Sequence, residues 1–271
     1  MNSAALSLLT LNILADLSCW QQRKKLLVEG IGQLAPDVIA LQEVRLSEDP
    51  TQPNPAEWLA KQLGYTQLEL CPKTGRAAQF EGLALLSRLP VLSHFCLDLQ
   101  SQQRVAQIVT LAWGDQKLVL ANCHLFWQPG ESLERVRQVE RLLQHLDVIP
   151  GNPYLLVCGD FNGEPHTQAI QLMRQRFLSA HATAHGAEPA YTCPTPLKRS
   201  TWSLLRTMFN YLSVIRPGQM SLNWRGVLDY IFVDPRLSVI ECRVVLDQPA
   251  VNNPRIYPSD HFGLFARLKI P

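Results

Sequence analysis

In YLLVCGDFNGEP, residues 154–165, the apolar residues Leu155, Leu156, Val157 and Cys158 read as a buried strand, yet run into Asp160 and Asn162 with only Gly159 between. A carboxylate and an amide at the mouth of such a strand cost desolvation unless something compensates them. Their partners must therefore come from elsewhere in the chain.

The same pattern recurs. Runs rich in Leu, Val and Ile at 6–13, 38–42, 83–86, 105–113, 118–121, 154–158, 227–233, 239–246 and 262–268 predict strands. At or beside their ends stand Asn12, Glu43, His124, Asp160 with Asn162, Asp229, and the pair Asp260-His261. Singly each is weak, because an Asp in a turn commonly caps or bends the chain and a lone histidine near an apolar strand is most often a satisfied rim residue. In sheet-built α/β folds, however, strand ends converge on one rim. Glu43, Asp160, Asp229 and Asp260 would then be crowded, and like charges raise one another's pKa unless a cation intervenes. Oxygen donors of this kind suit a hard ion, Mg²⁺ or Mn²⁺, and the set offers no thiolate or histidine pair to favour zinc.

Helices are expected between the strands. Asn54-Pro55-Ala56-Glu57 combines an N-cap, a proline at the first helical position and a glutamate placed for a capping box, and Gly64 marks the stop, so a helix is predicted over 55–63. Residues 132–146 set Leu133, Val136, Val139, Leu143 and Leu146 on one face with Arg135, Arg137 and Arg141 turned away. Another helix follows Pro165 and buries Ile170, Met173 and Phe177. No repeat or flexible linker interrupts the pattern, which predicts one α/β domain over 1–271.

One excursion, at 189–226, differs: no acidic residue occurs between Pro189 and Leu228. Lys198, Arg199, Arg206, Arg216 and Arg225 alternate there with Tyr191, Trp202, Phe209, Tyr211 and Trp224. Most of these rings read as the excursion's own packing. Arg216, Trp224 and Arg225 are the candidate substrate contacts, since arginines beside rings suit a phosphate backbone with stacked bases, or an anionic lipid surface.

The 271 residues are 46% hydrophobic and supply a sizeable core. A net charge of +2 argues for neither a polybasic nucleic-acid coat nor an acidic tail. Seven scattered cysteines, odd in number and never spaced as CxxC, predict free thiols and a reducing, cytoplasmic setting. The apolar N-terminus lacks a basic region and is interrupted by Asn12 and Asp16, so no membrane span is expected, and a monomer is. GIGQLA, 30–35, matches a dinucleotide fingerprint but follows a helix-like RKKLLVE. His181 and His185 have ligand spacing if helical, yet read as a solvated turn, and there is no GxSxG or Walker A.

Taken in order from Leu9 to Gly263, LTLNIL, ALQEV, NCHLFW, CGDFNGEP, LDYIFV and PSDHFGL closely resemble the endonuclease/exonuclease/phosphatase superfamily with the DNase I-like fold. The stretch ANCHLFWQPGESLERVRQVERLLQHL looks most like its deadenylase, nocturnin and 2'-phosphodiesterase branch. The resemblance implies a four-layer α/β/β/α sandwich of two mixed β-sheets flanked by helices, and a Mg²⁺- or Mn²⁺-dependent phosphate-ester hydrolase. It assigns metal binding to Glu43, the principal ligand, and Asn12, with Asp260 reaching a second ion. Asp160 and Asn162 would orient or deprotonate the attacking water, His261 would be the catalytic histidine with Asp229 as its partner, and His124 would hold the phosphate. Nucleic acid is the leading expected substrate, with the 3' end of single-stranded RNA as its specific case. A phospholipid or sphingolipid phosphodiesterase or an inositol phosphatase is the alternative, and a catalytically silent nucleic-acid-binding module the remote one.

Overall fold

Residues 5–46, 53–197 and 225–270 are described by a computed structural model. Within them the apolar runs become strands of two six-stranded sheets. The first contains β1 (Leu6–Asn12), β2 (Val38–Arg45), β3 (Gln67–Pro72), β4 (Glu81–Ser87), β11 (Ser238–Val245) and β12 (Gly263–Lys269), in the order β11-β12-β1-β2-β4-β3. The second contains β5 (Val91–Asp98), β6 (Val105–Trp113), β7 (Gln116–His124), β8 (Tyr154–Asp160), β9 (Leu178–Ser179) and β10 (Asp229–Val233), in the order β5-β6-β7-β8-β10-β9. Each sheet carries a central parallel pair, β1/β2 and β7/β8, while its other pairs are antiparallel. A parallel pair needs a crossover, and these are supplied by α1 (Trp20–Leu34) and α3 (Leu133–Asp147).

Strand periodicity sorts the side chains into layers. Leu6 and Leu8 of β1, Val38 and Ala40 of β2, Leu118 and Leu120 of β7, and Leu156 and Cys158 of β8 fill the space between the sheets. The alternate residues Leu9, Leu11, Ile39 and Leu41 pack under Leu27 and Ile31 of α1 and Leu59 of α2 (Pro55–Leu63). On the other side Val119, Ala121, Leu155 and Val157 pack under α3 and under Ile170 and Met173 of α4 (Gln168–Arg176). The result is the expected helix, sheet, sheet, helix stack. Strands buried on both faces read as continuous apolar runs, which is why the central ones are easy to find.

The helix over 55–63 forms as predicted. Asn54 Oδ1 accepts the N–H groups of Ala56 and Glu57 at 2.9 and 3.0 Å, and the Glu57 carboxylate accepts the Asn54 N–H at 2.8 Å. Helix α4 buries Ile170 and Met173, with Phe177 buried just beyond its end. Helix α3 departs from expectation: Leu133 is 70% exposed, whereas Arg135 is fully buried. The Arg135 guanidinium donates to the carbonyls of Phe126, Gln128 and Gly130, which shape the loop entering the helix. That backbone satisfaction compensates its burial.

Three strands were not expected. β3 and β5 are the edges of their sheets and carry half-exposed, mixed side chains, and β9 has two residues. His181 and His185 lie in a helical turn, α5 (Ala180–His185), rather than a solvated loop, with His185 Nε2 2.6 Å from the Cys242 carbonyl oxygen. The expectation that every cysteine is free is also corrected. Cys71 of β3 and Cys96 of β5 form a disulfide where the edges of the two sheets meet, while Cys123, Cys158, Cys193 and Cys242 are buried free thiols. No described helix is long and apolar enough to cross a membrane.

Candidate active site

Between the sheets, inward-facing residues change character toward one rim. Successive inward positions read Leu8, Thr10, Asn12 on β1, Val38, Ala40, Gln42 on β2, Leu120, Asn122, His124 on β7, and Leu156, Cys158, Asp160 on β8. The middle of this gradient is a neutral polar layer. Gln42 Nε2 donates to Thr10 Oγ1 at 3.0 Å and to Asn122 Oδ1 at 2.7 Å, and Asn122 Nδ2 donates to Gln107 Oε1 at 3.1 Å. These bonds tie the two sheets together directly beneath the ionisable groups.

Two backbone features aim the acids. The pairing of β2 with β4 shifts between Leu41 and Val44, and Glu43 sits in this bulge with φ 53°. A bulge re-aims a side chain, and a left-handed non-glycine costs on the order of 1 kcal/mol or more. Gly159 has φ 132°, and a Cβ there would lie 2.0 Å from the Cys123 carbonyl oxygen. Only glycine lets β8 lie against β7 at the residue before Asp160.

Asn12 joins the sheets at the rim. Its Nδ2 donates to Glu43 Oε1 at 3.1 Å and to Asp160 Oδ2 at 3.0 Å, while its Oδ1 accepts the Leu14 N–H at 3.0 Å. The Ala15 N–H donates to Glu43 Oε2 at 3.1 Å. Asp160 and Asp229 are directly opposite across the β8/β10 ladder. His261, just before β12, places Nδ1 2.9 Å from Asp229 Oδ2 and Nε2 3.8 Å from Asp160 Oδ2. From the other side His124 Nε2 lies 3.6 Å from Asp160 Oδ2 and 3.9 Å from Glu43 Oε1, with its Nδ1 3.6 Å from Glu81 Oε1.

The two histidines are driven in opposite directions. Burial and the nearby Arg104 guanidinium push His124 well below the usual imidazole range, so it is neutral at neutral pH. Burial also opposes the charge on His261, but Cys193, Asp229 and Asp160 outweigh it and hold its pKa well above normal. Burial pushes the Cys193 thiol itself up to about 11, so it is neutral at neutral pH and the stabilising field on His261 comes from the two carboxylates. Asp160 is raised, chiefly by burial, with Asp229 adding to the shift against the pull of His261. Burial and Glu81 push Glu43 up, yet His124 and the donors Asn12 and Ala15 leave it below the usual carboxylate range.

The structure thus brings Asn12, Glu43, His124, Asp160, Asp229 and His261 together. Asn162 follows in a left-handed turn at φ 49°, its N–H donating to Asp160 Oδ1 at 2.9 Å and its Nδ2 to the Leu125 carbonyl at 3.1 Å. Asp260 is adjacent to His261. Ser259 Oγ donates to the Asn12 carbonyl at 2.6 Å and lies 3.4 Å from Asp260 Oδ1. Arg225 is exposed, its guanidinium 4.8 Å over the Tyr191 ring, which in turn lies 5.4 Å from Phe262. Trp224 and Arg216, with the excursion over 198–224, lie outside the described residues.

Sequence reading missed the supporting layer. Arg23 is fully buried and donates to the carbonyls of Ile13, Asp16 and Pro258, fastening the segment after β1 to the one before β12. Arg104, Lys73 and Glu81 set the charge around His124. A loop arginine carries no signal of burial, although the inward polar positions Gln42 and Asn122 do follow from the two-residue strand period.

A divalent ion fits this donor set. The donors are oxygen-rich, Asp229 Oδ1 is buried without a hydrogen-bond partner among the described residues, and the Glu43 side chain is 26% exposed against 1% for Asp160. The carboxylates of Asp160 and Asp229 stand opposite each other across the β8/β10 ladder. Crowded carboxylates of this kind favour a hard cation.

A model of the Endonuclease/Exonuclease/phosphatase family matches residues 9–261. The chain is 27% identical over 209 residues to 2',5'-phosphodiesterase 12 of Mus musculus, covering 70% of this chain and 32% of that protein. It is 27% identical over 268 residues to nocturnin of Rattus norvegicus, covering 90% of this chain and 58% of that protein. It therefore spans between about a third and three-fifths of the length of these curated relatives. In fold it matches D. rerio TDP2, solved in complex with a single-strand DNA product, with a TM-score of 0.75 at 18% identity, over 98% of this chain and 99% of that one.

Proposed function

The chain belongs to the endonuclease/exonuclease/phosphatase family, and from that premise we propose that it is a divalent-metal-dependent phosphodiesterase acting on single-stranded nucleic acid, RNA foremost. The observation that carries this reading is the convergence of Glu43, Asn12, Asp160, Asp229 and His261 on one rim, contributed by both sheets. Bound at Glu43, with Asn12 beside it and Asp260 close to His261, Mg²⁺ or Mn²⁺ would supply a Lewis acid for a phosphoryl oxygen.

The chain's own residues supply the rest. Phosphoryl transfer asks mainly for positioning of an in-line water and neutralisation of charge on the phosphoryl oxygens. Asp160 is fixed by Asn12 and by the Asn162 N–H, and its raised proton affinity suits it to accept a proton from that water. Asp229 holds the proton on His261 Nδ1. His261 Nε2–H is then free to donate to the phosphoryl group. His124, neutral, donates or accepts a hydrogen bond without adding charge. Arg225 over the Tyr191 ring, which lies beside Phe262, would meet a neighbouring phosphate and base. The names of the relatives support a phosphodiester substrate, and the TDP2 complex supports a single strand.

The test compares Mg²⁺-dependent release from labelled oligo(A), duplex DNA and phospholipid vesicles. Release from oligo(A) that stops on chelation is expected. Activity confined to vesicles overturns the nucleic-acid assignment, and tight nucleic-acid binding without turnover under Mg²⁺ or Mn²⁺ overturns the enzymatic one.

A further inference from the structure

A second group of ligand atoms lies away from the catalytic carboxylates, where the edge strands of the two sheets meet. Cys71 of β3 and His94 and Cys96 of β5 offer three donors within 4.8 Å of one another. The two-residue strand period explains the grouping: Glu69 and Cys71 share one face of β3, and His94 and Cys96 share one face of β5. Cys71 is fully buried, and His94 and Cys96 are half-buried, so the group has a dry floor and a path to solvent.

The surroundings are those of an imidazole prepared to bind a metal. His94 Nδ1 lies 3.1 Å from Glu69 Oε2. This carboxylate holds the proton on Nδ1 and turns the Nε2 lone pair toward the sulfurs, 3.7 Å from Cys96 Sγ. Carboxylate-bound imidazoles of this kind are oriented for metal binding. Gln107 Nε2 donates to the Glu69 carbonyl at 2.8 Å and lies 3.4 Å from His94 Nε2, so it fixes β3 against β6 and approaches the lone pair an ion would use. The Cα atoms of the two cysteines are 5.7 Å apart, a separation from which both sulfurs reach one ion at the usual Zn–S distance of about 2.3 Å.

We propose that the dithiol form of this protein binds one Zn²⁺ through Cys71, Cys96 and His94, with a solvent molecule completing the tetrahedron and Glu69 orienting His94. The ion and the disulfide are alternative occupants of the same two sulfurs. Opening the disulfide takes two electrons and two protons, with a thiol or phosphine as the reductant that is oxidised. Zn²⁺ then displaces the two thiol protons, so its uptake strengthens as pH rises. Thiolate and imidazole donors select Zn²⁺ over Mg²⁺, which separates this site from the oxygen donors around Glu43.

The full chain, reduced with a phosphine and stripped of metal, is titrated with Co²⁺. A sulfur-to-cobalt charge-transfer band saturating at one equivalent is expected, displaced by Zn²⁺ and unaffected by Mg²⁺. The band is expected to vanish in Cys96→Ser and to persist in Glu43→Gln, and Glu69→Gln weakens Co²⁺ binding at least about tenfold. Co²⁺ uptake without the band, or a band that survives Cys96→Ser, overturns the proposal. Should that variant fail to fold, the unsubstituted protein decides: Zn²⁺ slows alkylation of Cys96, and unchanged alkylation overturns the proposal.

Discussion

His261 and His124 approach the same oxygen, Asp160 Oδ2, at 3.8 and 3.6 Å, yet carry different charge. The difference lies in what stands behind each ring: the Asp229 carboxylate for His261, and Arg104 for the more deeply opposed His124. Replacing His261 by Gln keeps a polar group against Asp229 while removing the proton donor. Turnover is expected to fall by about 10²- to 10⁴-fold, while calorimetry records nearly unchanged Mg²⁺ affinity. Equal loss of both contradicts the proposed roles. Gly159→Ala tests the backbone beneath Asp160. Its Cβ would strike the Cys123 carbonyl at φ 132°, and a loss on the order of 3 kcal/mol is expected in urea unfolding. At this scale the acids, amides and histidines were legible because strand ends announce them. Arg23 and Arg104 were not, because a basic residue in a helix or loop reads as solvated until tertiary structure buries it.

Among the elements, α2 was readable to its ends because its signals are local: Asn54, Pro55, Glu57 and Gly64 each act within one turn. The face of α3 was misread because Arg135 finds its partners in the preceding loop, which periodicity does not represent. Edge strands β3 and β5 are hard to read because β3 is mostly half-buried and half of β5 is exposed, and their mixed composition follows. The turn after β10 shows how short-range polar bonds set an element's position. Asp234 accepts the Leu155 N–H at 3.3 Å and the Arg236 N–H and Nε at 2.9 Å, and Arg236 reaches the Asn152 and Pro153 carbonyls. Burial pushes Asp234 up, but the bonds from Arg236 outweigh it and its pKa is lowered. A depressed folded-state value stabilises above the ordinary aspartate pKa of about 3.9, and that contribution is lost as pH falls through the folded value. Thermal melts are therefore expected to show Asp234→Asn less stable than the parent at neutral pH, with the gap closing below about pH 4.

For the molecule as a whole, the two-sheet sandwich is legible through the family resemblance that the six motifs carry. The excursion over 189–226 is legible only as composition. The apolar space between the sheets, rather than the charged rim, holds the layers together. Chelation is accordingly expected to stop turnover and leave far-UV circular dichroism unchanged. Mg²⁺ at a hundred times its dissociation constant is expected to add about 2.7 kcal/mol of stability, seen as a raised Tm that Glu43→Gln loses. The place of β12 has a temporal consequence. It lies between β11 and β1, and His261 stands two residues before its start at Gly263, 249 positions after Asn12. During translation β11 and β1 have no common neighbour until β12 emerges and inserts between them. A nascent chain shorter than this has an incomplete rim, and Asn12 meets His261 only after every strand between them has been synthesised.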